Sequence, residues 1–171
     1  GALQRIYLSA DLGENSGENS TDGRNQYSMA IGERTSQIVG PVDVYQVAHH
    51  GFYFSMNEET AKNLNFKYAI VTNSYNEIAY KAIAKFQKKY PSISETEALN
   101  IGTNTLKAIF SSEHLEKVLF ADGENYGKGP AAYELIKEMQ PSNGYVLTHK
   151  DGYIKNGNIT VELGDGIKVS Q

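Results

Sequence analysis

Cysteine and tryptophan are absent from the 171 residues. The lack of cysteine removes disulfide frameworks, thiolate zinc sites and cysteine nucleophiles together, and it leaves the compartment open. Long apolar runs are lacking too. The longest cover a few residues, as in Tyr68-Ala69-Ile70-Val71. Crossing a bilayer takes roughly 20, so no membrane segment is expected. No charged-then-apolar leader precedes Ile6. Positive charge is in deficit, with 16 Lys and Arg against 20 Asp and Glu and a net charge of −4. Gripping nucleic-acid phosphates calls for the opposite sign, which disfavours general nucleic-acid binding. An anionic substrate held through a metal is compatible with this balance.

What is present is a globular composition, 40% hydrophobic and 21% charged, which excludes wholesale disorder. A single domain over 1–171 is expected, burying roughly 70% of the surface its unfolded chain exposes. Twelve tyrosines with abundant Asn, Ser and Gly give a polar-aromatic character that leans toward a secreted or cell-surface bacterial protein. The Gly1-Ala2 start without Met suggests a cleaved tag or an excised fragment.

Strand and helix patterns alternate along the chain. Arg5 to Ala10 reads as a strand ending abruptly at Asp11, followed by a Gly/Asn/Ser-rich loop to Asn25. Tyr27 to Val39 reads as a helix stopped by Gly40-Pro41. Val42 to Ala48 alternates as a strand and runs into His49-His50-Gly51. Met56 to Leu64 reads as a helix with Asn57 or Ser55 as cap, and Tyr68 to Thr72 as a buried strand. Glu77 to Lys89 has helical spacing, and a further helical stretch runs from Ser94 or Thr96 to near Phe110. Val118 to Phe120 is a short strand, Pro130 to Met139 a helix opened by proline, and three strands with Asp-Gly and Asn-Gly turns close the chain. This order predicts an α/β fold with a small antiparallel finish.

Chemistry concentrates at two strand ends. Asp11 stands where a strand becomes a loop, a place where Asp commonly opens a turn. One histidine at a strand end is usually a packed, hydrogen-bonded side chain. Two in a row before glycine, as in His49-His50-Gly51, are less often so. Imidazole is the commonest metal ligand, and glycine lets the backbone turn closely around an ion.

Taken together, Leu8-Ser9-Ala10-Asp11, a helix, and Asp43-Val44-Tyr45-Gln46-Val47-Ala48-His49-His50-Gly51 resemble the second half of a metallo-β-lactamase-fold hydrolase. The branch they resemble is that of competence DNA-uptake proteins and related surface phosphodiesterases. Lys67 to Val71, Asn125 to Pro130, Tyr145 to Gly152 and Ile159 to Val161 resemble later blocks of that branch. Ala10 replaces the usual Gly, Phe52 the usual Ser, and Lys128 a usual His. The stretch at about 74–115 is expected to be a helical insertion.

The resemblance implies half of an αβ/βα sandwich: a mixed sheet with helices on one face and an open apolar face. The missing N-terminal half, or a second copy in a homodimer, would pack on that open face. It also implies zinc at two sites in the intact parent, with Asp11 bridging, His50 a ligand and His49 an alternate ligand. Ser55 and Lys128 would meet substrate. His149 and His114 are read as surface histidines, the latter near a helix start. The superfamily's H-x-H-x-D-H motif is missing, and only four histidines are present. A catalytic zinc needs about three protein ligands plus an open position, so the chain is expected to be a silent part of a metal-dependent hydrolase. A phosphoester is the expected substrate in preference to a β-lactam. The rival expectation is a non-catalytic surface or interaction domain. It could bind calcium through the oxygen-rich 11–23 loop, which lacks EF-hand spacing.

Overall fold

The structure, a computed structural model, describes residues 3–12, 29–53, 55–73, 83–121, 146–147, 149–150, 153–154 and 158–170. Five strands form one sheet: β1 (Ile6–Leu8), β2 (Val44–Gln46), β3 (Tyr68–Val71), β4 (Lys117–Phe120) and β5 (Val146–Leu147). Their spatial order is their chain order, and every neighbouring pair is parallel. The fold is α/β.

Sequential parallel order has a consequence for the layers. Crossovers between parallel strands are right-handed as a rule, and successive right-handed crossovers in one direction stack on the same face of the sheet. The crossovers carry α1 (Met29–Val39), α2 (Glu58–Leu64), α3 (83–89), α4 (Glu95–Gly102) and α5 (Asn104–Phe110). The main core lies between this helical layer and the face bearing Tyr45, Val47, Ala69, Val71, Val118 and Phe120. Leu64, Phe66 and Leu106 are fully buried in it, each contributing about 1.5–3 kcal/mol relative to exposure. Tyr7 stacks on Tyr45 at 5.6 Å, and Tyr45 meets Phe66 at 5.3 Å.

Local chemistry explains where these helices begin and end. Asn57 caps α2 by accepting from the Thr60 amide at 2.8 Å. Ser94 and Glu97 form a reciprocal capping box at the start of α4. The Ser94 hydroxyl and amide both donate to Glu97, holding its carboxyl below the usual carboxylate range. Gly40, at φ +67°, closes α1, its amide donating to the Ser36 carbonyl at 2.8 Å.

Several sequence expectations are refined. The helical stretch after Ser94 is two helices broken at Thr103. Segment 83–115, expected to belong to an insertion, lies on the crossover from β3 to β4, and its α5 packs in the main core. His114 follows α5 rather than starting a helix, because Ser111 is already the C-cap. The antiparallel finish is present as two ribbons, β6 (His149–Lys150) with β7 (Tyr153–Ile154), and β8 (Thr160–Glu162) with β9 (Lys168–Ser170). Among the described residues, parallel and antiparallel pairings are therefore segregated, not combined in one mixed sheet. The face expected to be open is partly covered. Ile159, Val161, Ile167 and Val169 of the second ribbon pack on Val44, Leu119, Tyr68 and Ile70. Toward the β1 edge, Ile6 and Leu8 are exposed, Leu8 by 71%. Among the described residues no helix is long and apolar enough to cross a membrane.

The strand starts are stitched by charge. Asp43 accepts from the Arg5 amide at 3.0 Å and from Lys67 Nζ at 3.2 Å. The Arg5 amide first, and Lys67 after it, hold the Asp43 carboxyl below its usual value. Tyr68 donates to Glu116 at 2.7 Å, which together with burial pushes its hydroxyl up to about 12.

Candidate functional site

At the opposite, C-terminal ends of the strands the backbone takes an uncommon path. Ala10, His49 and His50 have φ of 49°, 43° and 56°, and Gly51 has 75°. Such conformations cost non-glycine residues roughly 1–3 kcal/mol each, and they persist only where neighbours enforce them. Among the described non-glycine residues one other has positive φ, Asn65, which caps α2. The strained residues are thus concentrated where ligands bind in open α/β sheets, outside the carboxyl ends of the strands.

The enforcing contacts can be named. Gln46, the last residue of β2, accepts from the Ala10 amide at 3.2 Å and donates to the Val47 carbonyl at 3.0 Å. Ser9 donates to the Gln46 carbonyl at 2.6 Å, and the His49 amide donates to the Ala10 carbonyl at 2.8 Å. The buried Tyr45 hydroxyl accepts from the Ala48 amide at 3.3 Å. Downstream, Thr105 of α5 donates to the Phe52 carbonyl at 2.5 Å and accepts from the amides of Ser55 and Met56. The ends of β1 and β2 are tied together, and the His-His-Gly turn is braced from α5.

On this frame Asp11 Oδ1 lies 3.7 Å from His50 Nε2, with the side chains 76% and 51% exposed. Two ligands on one zinc, each at about 2.1 Å in tetrahedral geometry, are separated by about 3.4 Å. The pair is therefore spaced for a shared cation. The other ring nitrogen of His50, Nδ1, is 3.0 Å from Thr72 Oγ1 at the end of β3. The His49 ring sits edge-on to His50 at 6.2 Å and to Phe52 at 6.0 Å. No group of three or more metal-ligating side chains occurs among the described residues. Among the described residues a carboxylate oxygen and an imidazole nitrogen converge here, without a third such side chain.

Ser55, expected to meet substrate, is buried, and its hydroxyl donates to the His49 carbonyl at 3.3 Å. Its place is inside the turn. Lys128 and the 13–23 portion of the oxygen-rich loop lie outside the described residues, as do the expected helix from Pro130 to Met139 and residues 74–82. His114 is exposed on the turn before β4. Beside the site, Tyr53, Met56, Asn57, Glu58, Asn104, Lys107 and Ala108 line a small pocket. Burial there pushes the Lys107 amine down, and its Nζ donates to the Asn100 carbonyl at 2.8 Å.

Gln46, Thr72 and Thr105 are the residues that sequence reasoning did not single out. Gln46 lay within the quoted strand and could have been noticed as a polar residue in an apolar alternation. Thr72 and Thr105 carry no signal in sequence, because their partners are 22 and 53 residues away. No family model, no curated protein and no solved structure matches this chain.

Proposed function

We propose that this chain carries the aspartate-and-histidine half of a metal-dependent hydrolase site of the metallo-β-lactamase type, acting on a phosphoester rather than a β-lactam. The observation that supports it is the approach of Asp11 Oδ1 to His50 Nε2, 3.7 Å apart on a strained turn at neighbouring strand ends. An oxygen and an imidazole nitrogen suit zinc. Asp11 and His50 would hold the cation, with His49 as an alternate ligand. A bound divalent cation supplies an acidified water and polarises a phosphoryl oxygen. Asp11 would orient that water by accepting its proton-bearing edge, and His50 would keep its proton on Nδ1 so that Nε2 stays a donor of electrons.

Two ligands do not complete a catalytic site, so the remaining donors would come from the half of the fold that bears H-x-H-x-D-H. The exposed Ile6 and Leu8 on the edge strand β1 offer that half an apolar strip. Without that half, a second copy would bury the same strip. The chain by itself is then catalytically silent and binds zinc weakly.

Calorimetric titration with zinc tests the reading on the chain and on Asp11→Asn and His50→Ala. The expected result is weak one-to-one binding, lost in both variants, with no hydrolysis of an aryl phosphodiester. Binding that survives both substitutions defeats the site assignment. Vigorous turnover by the chain alone defeats the silent-half reading.

A further inference from the structure

The side chain that meets the second ring nitrogen of His50 lies at the end of a third strand. His50 lies in the turn that follows β2, Asp11 follows β1, and Thr72 is the first residue past β3. Because β2 pairs with both neighbours in parallel, these three strand ends are brought side by side. The His50 ring then has one nitrogen toward each neighbour: Nε2 at 3.7 Å from Asp11 and Nδ1 at 3.0 Å from Thr72 Oγ1. The second distance is that of a hydrogen bond and the first is too long for one.

A neutral imidazole has a single N–H, and the bond made by one nitrogen fixes what the other can do. If Nδ1 holds the proton and donates it to Thr72, the Nε2 lone pair is left facing Asp11. That is the form a cation requires. If instead the Thr72 hydroxyl donates to Nδ1, the proton sits on Nε2 and no cation can bind there. A hydroxyl can play either part. The carboxylate at 3.7 Å makes no hydrogen bond to the ring, whereas Thr72 at 3.0 Å does, so Thr72 is the hydrogen-bonding partner placed to select the tautomer.

We infer that Thr72 is a positioning residue for His50: its hydroxyl accepts the Nδ1 proton, fixes the rotation of the ring and leaves Nε2 open toward Asp11. The chemical consequence rests on the hydrolase reading above, whereas the position of the proton is a property of the metal-free chain. Ligating histidines depend on such partners, whose loss typically weakens metal affinity by about 10–100-fold.

The proton is located by long-range proton–nitrogen correlation spectra of metal-free protein labelled at histidine, recorded well above the imidazole titration. Histidine free in water favours the proton on Nε2, so a dominant Nδ1–H form at His50 is diagnostic. The expected result is that form in the wild type and in Thr72→Ser, and its loss in Thr72→Val. Zinc titration should show affinity retained in Thr72→Ser and reduced at least about tenfold in Thr72→Val. A wild-type ring with the proton on Nε2 overturns the inference. So does a Thr72→Val spectrum unchanged from the wild type. A wild type that shows the Nδ1–H form but binds no zinc upholds the role of Thr72 and defeats the hydrolase reading.

Discussion

Thr105 donates its hydroxyl to the Phe52 carbonyl at 2.5 Å across 53 residues of sequence, and the same oxygen accepts from the amides of Ser55 and Met56. One fully buried side chain therefore satisfies three backbone groups of the loop that follows the histidines. It joins the first turn of α5 to the candidate site.

Replacing that hydroxyl by a methyl leaves the volume nearly unchanged and takes the acceptor from the buried Met56 amide. The Ser55 amide keeps its bond to the Phe52 carbonyl at 2.8 Å. Thr105→Val should destabilise the fold by about 1–3 kcal/mol, the range for orphaned buried polar groups. Thr105→Ser should recover most of the loss. Urea unfolding gives the energies, and hydrogen exchange at the Met56 amide reports the local effect. Wild-type stability and unchanged protection in Thr105→Val would show that the loop is held by other contacts.

Gly40 separates backbone strain from steric crowding. A Cβ there would meet nothing nearer than Arg5 Nη1 at 3.9 Å, so space is available. Its φ of +67° is nevertheless one that L-residues resist. Gly40→Ala should lower stability by about 1–2 kcal/mol, read from the urea midpoint. Increased stability, the usual result for alanine where φ is negative, would refute a left-handed cap at this position.

Asp43 sets a pH dependence at the other end of the strands. Its carboxyl titrates below the ordinary 3.8 of an aspartate, chiefly because the Arg5 amide donates to it. A depressed carboxyl contributes stability that is fully present above the unfolded pKa and is lost as pH falls through the folded one. The difference in Tm between the wild type and Asp43→Asn should thus be level near neutrality and shrink below pH 3.8. A difference that stays constant or widens in acid would contradict this role.

Much of the architecture was legible from local pattern. The alternation Val44-Tyr45-Gln46 and the run Tyr68-Ala69-Ile70-Val71 became central strands, Asn57 and Ser94 became caps, and Gly40 ended α1. Asp11 and the His-His-Gly turn could be placed at strand ends for the same reason: periodicity breaks where a strand stops. Each of these rests on interactions within a few residues, which sequence spacing encodes directly.

Tertiary structure alone decided the rest. Whether Asp11 could meet a histidine depended on β1 pairing with β2 in parallel, so that both strand ends open on one side. Which face of the sheet took the helices followed from the sequential strand order, and the β8–β9 ribbon covering part of the other face came from residues far along the chain from β2. The partners Thr72 and Thr105 were hidden because a lone threonine has no spacing that marks its target. Residue types and local periods fix which segments form and where they stop. The meeting of distant side chains is fixed only when the sheet's register and the helices packed on it set their positions, because that register depends on burial summed over the whole chain.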